Sequence, residues 1–281
     1  MKFVVGIGMV LFVLIVLYLL AIMPRMFCRA DRKPFLQVLY AHRGLHDNQS
    51  DAPENSMKAF RRAVEAGFGI ELDVQLTKDK VPVVFHDFSL KRICGAEGKV
   101  KDYTFEQLQQ FSLCGTEEKI PKLEAFLRMV SGRVPLIIEY KIAALDVEVC
   151  RLADKLLQNY KGLYCIESFN PMGVLWYRKN RKHIMRGQLA DSFRREKNSS
   201  YPAPLLAALH YMLFNFLTKP DFIAYHHKYH RDLSRSLCRN LYRSTAVAWT
   251  IRSQEELDKR KKDFDMFIFE NFVPAQGVQS P

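Results

Sequence analysis

Two carboxylates and a histidine lie close together in one mainly apolar stretch of the sequence. Glu71 and Asp73 are separated by one residue, so on a β-strand both side chains point to the same face. Like charges buried that close repel each other unless a cation lies between them. A turn at residues 78–80 would fold the next segment back and bring Phe85 and His86 to the level of the carboxylates. The stretch therefore predicts a metal with a general acid or base beside it; the alternative is a solvated hairpin with scattered charges.

Two further apolar runs end in groups that can hold a phosphate ester. The first run after the N-terminal region ends in His42 and Arg43, and a later β-branched run ends in Glu139 and Lys141. An α/β barrel keeps its catalytic groups at the ends of its strands. Three strand ends thus offer carboxylates, histidines, an arginine and a lysine. This set suits a phosphodiester held by cations beside a divalent metal.

Seven short motifs follow one another in a specific order and spacing. They are His-Arg-Gly at 42–44, Pro-Glu-Asn at 53–55, Glu-Leu-Asp-Val at 71–74, Val-Val-Phe-His-Asp at 83–87, Glu-Tyr-Lys at 139–141, Ser-Phe-Asn at 168–170 and Ala-Trp-Thr at 248–250. With these motifs the chain resembles the glycerophosphodiester phosphodiesterase family over residues 38–274, in a membrane-anchored form of bacterial type. One departure concerns substrate contacts near the last strand, where relatives often read Thr-Asp-x-Pro and residues 270–274 read Glu-Asn-Phe-Val-Pro.

The resemblance implies a TIM (β/α)8 barrel, and the pattern of the chain agrees with it. After an N-terminal region, about 245 residues remain, which is the usual size of one such barrel. A small hairpin insertion should follow the second strand, and its returning arm, residues 81–86, should not be a barrel strand. The eight barrel strands are predicted to end near His42, Asp73, Glu139, Ser168, Leu189, Tyr225, Thr250 and Phe269.

The N-terminus is predicted to anchor the protein in a membrane. Residues 3–23 contain no charged side chain and are long enough to cross a bilayer as one helix. No convincing small-x-small cleavage site follows, which favours an uncleaved anchor over a secretory signal. Lys2 precedes the helix and four basic residues follow it, so we expect a single-pass cell-membrane protein whose catalytic domain is cytoplasmic. The four residues are Arg25, Arg29, Arg32 and Lys33.

These patterns divide the chain into four parts. They are a transmembrane anchor (1–24), a basic juxtamembrane linker (25–37), the catalytic barrel (38–274) and a C-terminal tail (275–281). Within the barrel, the apolar segment 205–217 has two interpretations. It is either a helix with extra core contact or a helix or lid that dips into the bilayer interface.

Charge and cysteine content narrow the classes of partner. The formal net charge of +12 could serve solubility, attraction to anionic lipid or nucleic-acid binding. No nucleic-acid-binding signature accompanies it, so we expect the lipid bilayer as a partner and no nucleic acid. The six cysteines form no Cys-x-x-Cys pair, which agrees with reduced thiols in a cytoplasmic domain.

The resemblance implies binding roles for five of the motif residues. Glu71, Asp73 and Glu139 would hold one divalent cation, and ligands that are all oxygen suit Mg²⁺ or Ca²⁺ better than zinc. Arg43 and Lys141 would bind the phosphate oxygens, with Arg43 suited to a two-pronged contact.

Proton transfer and substrate contact fall to other strand-end residues. His42 and His86 would share the two proton transfers, because imidazole titrates near neutral pH; which of them is the acid is not determined by the sequence. Glu54 would orient Arg43 or another residue that contacts the metal ligands; the alternative is that Glu54 itself binds the metal. Trp249 would lie against the glycerol carbons or pack in the core. Two amides could hydrogen-bond substrate from strand ends, Asn170 and Gln188. His46 has no recognisable partner.

The predicted enzyme hydrolyses glycerophosphodiesters to sn-glycerol 3-phosphate and an alcohol. In this family the attacking hydroxyl is thought to be the substrate's own, and water then opens a cyclic phosphate. The expected substrate is a small glycerophosphodiester or a lysophospholipid. The alternatives are a lysophospholipase D-type activity on lipids and a catalytically silent, membrane-tethered binding domain.

Overall fold

Eight parallel strands close into a barrel, and a ninth strand pairs at its rim, in the residues that the computed structural model describes, 2–192 and 202–275. The order around the barrel is β1, β9, β8, β7, β6, β5, β4, β2, and β1 also pairs with β2, which closes the ring. The predicted TIM barrel is therefore confirmed. The strands are β1 Leu39–His42, β2 Gly69–Leu76, β3 Pro82–Val84, β4 Leu136–Tyr140, β5 Tyr164–Ser168, β6 Arg186–Ala190, β7 Phe222–His226, β8 Thr245–Ile251 and β9 Met266–Phe269.

Helices cover the outside of the barrel. The helix after β1 illustrates why they form: the Ser56 hydroxyl caps it by accepting from the Ala59 N–H, and Phe60 and Val64, four apart, face the core. The α-helices of the described residues are α1 Lys2–Ile22, α2 Lys33–Leu36, α3 Met57–Glu65, α4 Lys91–Cys94, α5 Phe105–Leu108, α6 Leu123–Val130, α7 Glu148–Leu157, α8 Pro171–Asn180, α9 Ala203–His210, α10 Asn215–Thr218, α11 Leu233–Asn240 and α12 Gln254–Arg260.

Side chains along the barrel strands alternate between two hydrophobic layers. In β2, Ile70, Leu72 and Val74 belong to the outer layer, between strands and helices. The inner layer fills the barrel with residues such as Tyr40 of β1 and Ile137 of β4. Because the side-chain period of a strand is two, the next inward positions toward the C-terminal ends carry the polar residues of the site.

The second strand continues into an insertion at the rim of the barrel. β2 runs to Leu76, past the predicted end at Asp73, because β3 pairs with it in antiparallel fashion, with Val74 opposite Val84. The chain then forms α4 and α5 before it returns to the barrel. The insertion is larger than the predicted hairpin, since it has its own hydrophobic cluster, formed by Val83, Phe85, Leu90, Ile93, Val100, Leu108, Leu113 and Ile120.

The N-terminal helix α1 is exposed along most of its length. Among the described residues it alone is long and apolar enough to cross a membrane. Residues 3–17 are exposed, whereas Ile22 in the last turn is buried against the barrel. The segment 25–37 runs across the N-terminal end of the barrel, where Phe35 is 2% exposed within the inner layer.

The apolar segment 205–217 forms two short helices instead of one. α9 ends at His210, a turn follows in which buried Met212 has a positive φ of 53°, and α10 begins at Asn215. α10 packs against α8 and α1. This part of the segment is therefore a packing element of the barrel wall.

Candidate active site

Three buried carboxylates meet inside the barrel at its C-terminal end. Asp73 and Glu139 are paired neighbours in β2 and β4, and Glu71 is one inward position earlier in β2. One oxygen from each lies within 4.8 Å of the others. All three residues are at most 6% exposed. The predicted ligand triad is thus a cluster in three dimensions.

Two cations lie against this cluster. The Lys141 ammonium is 2.7 Å from Glu139 Oε1 and 3.1 Å from Asp73 Oδ1. The Arg43 backbone N–H donates to Glu71 Oε2 at 3.1 Å, and its guanidinium Nε is 3.5 Å from Asp73 Oδ2. Burial would raise the pKa of Asp73, but Lys141 and its other partners outweigh burial and hold that pKa well below its usual range.

The negative charge of the cluster exceeds that of its cations. Arg43 and Lys141 supply two positive charges against four carboxylates, because buried Glu167 of β5 lies beside the triad as well. Burial and the neighbouring carboxylates raise the pKa of Glu71 well above its usual range. A divalent cation would favour the ionised form of these carboxylates and offset their charge, and carboxylate oxygens are the ligands that Mg²⁺ and Ca²⁺ prefer. The residues present therefore fit a divalent metal.

His42 approaches the cluster from β1. Its Nδ1 donates to Glu270 Oε2 at 2.5 Å, and its Nε2 is 3.8 Å from Glu71 Oε2. The carboxylate partner fixes the tautomer of the ring and directs Nε2 toward the triad. Burial and the charge of Arg43 lower the pKa of His42 to about 4. Glu270 in turn pairs with Arg252.

His86 approaches from the insertion, at the other side of the pocket. Its Nδ1 is 2.5 Å from Asp87 Oδ1. Burial would raise the pKa of Asp87, but hydrogen bonds from His86 and Arg92 lower it, so the carboxylate accepts the proton of Nδ1. The Gln75 amide holds the backbone here by donating to the carbonyls of Phe85, His86 and Asp87 at 2.7 to 3.1 Å. Each imidazole thus has a carboxylate that orients it.

Glu54 lies behind Arg43 and outside the triad. Its Oε1 accepts from Arg43 at 2.7 Å, and both of its oxygens accept from Arg92 at 2.7 Å. Burial would raise the pKa of Glu54, but Arg92, Arg43 and Asn48 lower it to about 2. This position supports the orienting role that the sequence suggests for Glu54.

The pocket above the cluster is open and has a volume of about 350 Å³. Polar side chains, among them His42, His86 and Arg43, line part of it. The apolar wall includes Trp249 and Phe169, whose ring centroids are 5.7 Å apart. Trp249 therefore contacts both the inner core and the open pocket.

Two of the predicted residues turn away from the pocket. Asn170 caps α8 by accepting from the Met172 N–H, and its amide donates to the carbonyls of Ile142 and Ala144. Gln188 lies between the inward-facing residues of β6 and donates to the carbonyls of Ser168 and Phe169. Both side chains hold the backbone at strand ends, and neither is among the residues that line the pocket.

Several pocket residues were not predicted from sequence. Glu270 and Glu167 both follow the inward alternation of their strands, so a stricter use of strand period could have found them. Asp87 belongs to the Val-Val-Phe-His-Asp motif at 83–87, but no role was predicted for it from the sequence. His46 reaches His42 and Glu270 closely enough to share a site with them, although nothing in the local sequence indicates it. Asn55 donates to Asp73 Oδ2 at 2.9 Å.

Fold and site together define a TIM-barrel protein with an acidic, histidine-flanked pocket at the C-terminal ends of its strands. Residues 42–265 match the model of the Glycerophosphoryl diester phosphodiesterase family. The chain belongs to this family.

Individual relatives agree with this placement. A glycerophosphodiester phosphodiesterase of Caldanaerobacter subterraneus subsp. tengcongensis is 34% identical over 164 residues, which are 54% of this chain and 66% of that protein. One from Bacillus altitudinis is 42% identical over 111 residues, 37% of this chain and 44% of the relative. The chain thus spans less than two thirds of the length of these relatives.

A solved structure extends the likeness to the whole barrel. The phosphodiesterase of Oleispira antarctica, in complex with its product sn-glycerol-3-phosphate, superposes with a TM-score of 0.64 at 22% identity. The match covers 83% of this chain and 92% of that one. At this level of identity it establishes a common fold.

Proposed function

We propose that the protein is a metal-dependent glycerophosphodiester phosphodiesterase that releases sn-glycerol 3-phosphate and an alcohol. The observation that carries the proposal is the convergence of Glu71, Asp73 and Glu139 within 4.8 Å, between two imidazoles that each have a carboxylate partner. Membership of the family supports the same conclusion.

Each polar residue of the pocket has a separate task in this proposal. Glu71, Asp73 and Glu139 would hold one divalent cation, Mg²⁺ or Ca²⁺, which supplies charge to polarise the phosphodiester and to acidify a hydroxyl. Arg43 and Lys141 would bind the phosphate oxygens, with Arg43 suited to a two-pronged contact. Trp249 and Phe169 form an apolar surface for the glycerol carbons.

Two proton transfers accompany the bond changes. The free hydroxyl of the glycerol moiety attacks phosphorus while one imidazole takes its proton, and the other imidazole protonates the oxygen of the departing alcohol as its bond to phosphorus breaks. Water then adds to the cyclic phosphate by the same two groups with their roles reversed. His42 and His86 both line the pocket, and each bonds a carboxylate through Nδ1, which leaves Nε2 of each ring for proton transfer.

The helix α1 is the membrane anchor of the proposed enzyme. Its apolar length suits a single span. The four basic residues that follow it, against Lys2 alone before it, favour a catalytic domain on the cytoplasmic side. An active C-terminal reporter on the outer side of the cell would contradict this orientation.

Release of glycerol 3-phosphate tests the proposal directly. The full-length chain in detergent is given glycerophosphocholine, glycerophosphoethanolamine or glycerophosphoglycerol, with Mg²⁺, Ca²⁺ or a chelator. Metal-dependent release from at least one of these is expected. Silence on all three, together with retained metal binding, would favour a catalytically silent binding domain.

Two variants separate metal binding from proton transfer. Glu71→Gln removes a ligand and should abolish both activity and tight metal binding, whereas His86→Ala should lower activity by about 10² to 10⁴-fold and leave metal binding intact. Calorimetric titration with the metal measures the second property independently of turnover. Equal loss of metal affinity in both variants would show that this division of roles is wrong.

A further inference from the structure

The last turn of α1 is docked on the barrel wall between α10 and α11. The Tyr18 hydroxyl is 2.7 Å from Ser234 Oγ. The carbonyl of Ile22 accepts from Asn215 Nδ2 at 2.9 Å and from Cys238 Sγ at 3.5 Å. With Ile22 fully buried, these contacts hold the helix in one direction relative to the barrel.

That direction follows from the order of the contacts. α11 begins after the C-terminal end of β7 and runs back toward the start of β8, so Ser234 lies near the rim of the pocket and Cys238 farther from it. Tyr18 meets Ser234 and Ile22 meets Cys238, and the long Tyr242 side chain reaches back to the Leu19 carbonyl. The N-terminal side of this turn of α1 therefore faces the rim. The chain then reaches the opposite end of the barrel, where the Arg25 N–H donates to the carbonyl of Pro220, just before β7.

The exposed part of α1 therefore extends beyond the rim of the pocket. Residues 3–17 precede the docked turn and are all exposed. At 1.5 Å per residue they reach about 22 Å past it, which is most of the hydrocarbon thickness of a bilayer. A membrane that surrounds these residues lies on the same side of the barrel as His42, His86 and the carboxylate triad.

We propose that the pocket opens toward the membrane in which α1 is embedded, and that its substrate is a single-chain glycerophospholipid lying in that membrane surface. The inference rests on the proposed phosphodiesterase function and narrows its substrate class. A free glycerol hydroxyl beside the phosphate is needed for the attack, and a single-chain lipid has one whereas a diacyl lipid has none. The pocket then meets the head group at the bilayer surface, with no need to extract the whole lipid.

The surface next to Tyr18 is suited to a lipid head-group layer. Lys228 and Arg231 are exposed at the rim just before α11, and Leu233 in its first turn is 60% exposed. Basic residues at this position attract anionic lipid, and a tyrosine at the head-group level is typical of membrane proteins.

Exposed apolar side chains alone do not choose between the two ends of the barrel. Leu145 and Val273 are exposed at the rim, but Leu163 and Leu241 are exposed at the opposite end. The direction of α1 decides. The basic segment that follows α1 is consistent with this direction. Arg29 donates to the carbonyls of Tyr242 and Arg243, and so it lies at the end of the barrel that faces away from the membrane.

Two positions at opposite ends of α11 provide a matched test of orientation. Leu233→Trp and Leu241→Trp replace leucines that are 60% and 53% exposed, and each variant is placed as the full-length chain in lipid nanodiscs. Lipids with a nitroxide on the head group quench nearby tryptophan, and the signal of Trp176 and Trp249 is subtracted with the unsubstituted protein. The Leu233→Trp fluorescence should be quenched at least twofold more strongly. Equal quenching, stronger quenching of Leu241→Trp, or failure of the chain to insert would overturn the proposal.

Substrate choice is tested with paired charge reversals. Lys228→Glu with Arg231→Glu alters the rim. Arg133→Glu with Lys161→Glu makes the same charge change at the opposite end of the barrel, at exposed residues just before β4 and β5. On lysophosphatidylglycerol in anionic vesicles, the rim variant should lose about fivefold or more in rate and the control should not. Both should hydrolyse soluble glycerophosphoglycerol at the unsubstituted rate.

The vesicle lipid and the soluble diester together distinguish failure of the lipid assignment from failure of the phosphodiesterase proposal. Turnover of the soluble diester without turnover of the vesicle lipid would overturn the lipid assignment and leave the phosphodiesterase intact. Absence of turnover on both would overturn the phosphodiesterase itself, and with it the substrate class, whereas the quenching pattern would still decide the orientation.

Discussion

At the scale of single residues, the carboxylates of the pocket differ in the cations that lie near them. Their pKa values differ accordingly. Glu71 has mainly carboxylates around it, and its pKa is raised; Asp73 has Lys141 and Arg43 close by, and its pKa is lowered. Glu54 belongs to the second kind, because Arg92 and Arg43 both donate to it. Burial makes all these carboxylates costly, so the contacts with cations determine which of them also contribute to stability.

Glu54 should make stability depend on acid pH. Its pKa falls from 4.5 to about 2 on folding, so its contribution is fully present above pH 4.5 and is lost as the pH falls toward 2. We expect Glu54→Gln to lower the free energy of unfolding by about 3 kcal/mol at pH 7, and by less than half of that at about pH 3. Guanidinium unfolding of the full-length chain in detergent at both pH values measures the difference.

The control for this prediction is a carboxylate in an exposed pair. Glu124 bonds Arg128 on the surface of α6 with 57% of its side chain exposed, and Glu124→Gln should change stability by well under 1 kcal/mol. A difference between the wild type and Glu54→Gln that stays constant from pH 7 to pH 3 would contradict the ion-pair explanation.

At the scale of elements, the hairpin of β2 and β3 brings His86 to the carboxylate triad. Val74 lies opposite Val84, and the Phe85 N–H donates to the Asp73 carbonyl, so His86 follows directly at the level of the triad. Just beyond β3, Gln75 holds the backbone by its three carbonyl contacts. The amide of Gln75 is thus a positioning group for His86.

Gln75→Met should lower kcat more than stability alone explains. The substitution keeps the side-chain length but removes the donor, so the backbone at His86 loses its anchor. We expect a fall in kcat of about tenfold or more, with metal affinity unchanged and a loss of stability of about 1 to 3 kcal/mol. Gln109→Met is the matched control, since the Gln109 amide donates to the Ile120 carbonyl in the same insertion. An equal loss of kcat in the two variants would refute the positioning role.

At the scale of the whole molecule, the N-terminal segment joins helix α1 and the barrel into one structure. The end of α1 packs on the wall, and residues 25–37 then cross the N-terminal end of the barrel, where Phe35 fills the inner layer beside Tyr40. A linker that only spanned a distance would have no such contacts. This segment therefore contributes to the stability of the barrel as well as to its attachment.

Phe35→Ala should destabilise the whole barrel. Removal of a buried phenylalanine leaves a cavity at the end of the inner layer and typically costs about 3 to 5 kcal/mol. Phe27 is 85% exposed in the same segment, so Phe27→Ala should change stability by about 0.5 kcal/mol or less. Thermal unfolding of both full-length variants, followed by circular dichroism, gives the comparison. Similar melting temperatures would show that the segment does not close the barrel.

The sequence by itself determined the barrel, its strand ends, and the carboxylate triad with the two histidines. Alternation with period two placed Glu71 and Asp73 on one face, and the turn after Leu76 returned His86 beside them, because both effects depend only on backbone geometry over a few residues. The contacts between residues far apart in the chain depend on closure of the barrel. It brought Glu270 to His42 across 228 positions of sequence, and it placed Gln188 on the outward face of β6. It also placed α1 on α11, and thereby determined which end of the barrel lies beside the exposed helix. No local pattern encodes such contacts, because they arise only when strands and helices far apart in the chain pack together.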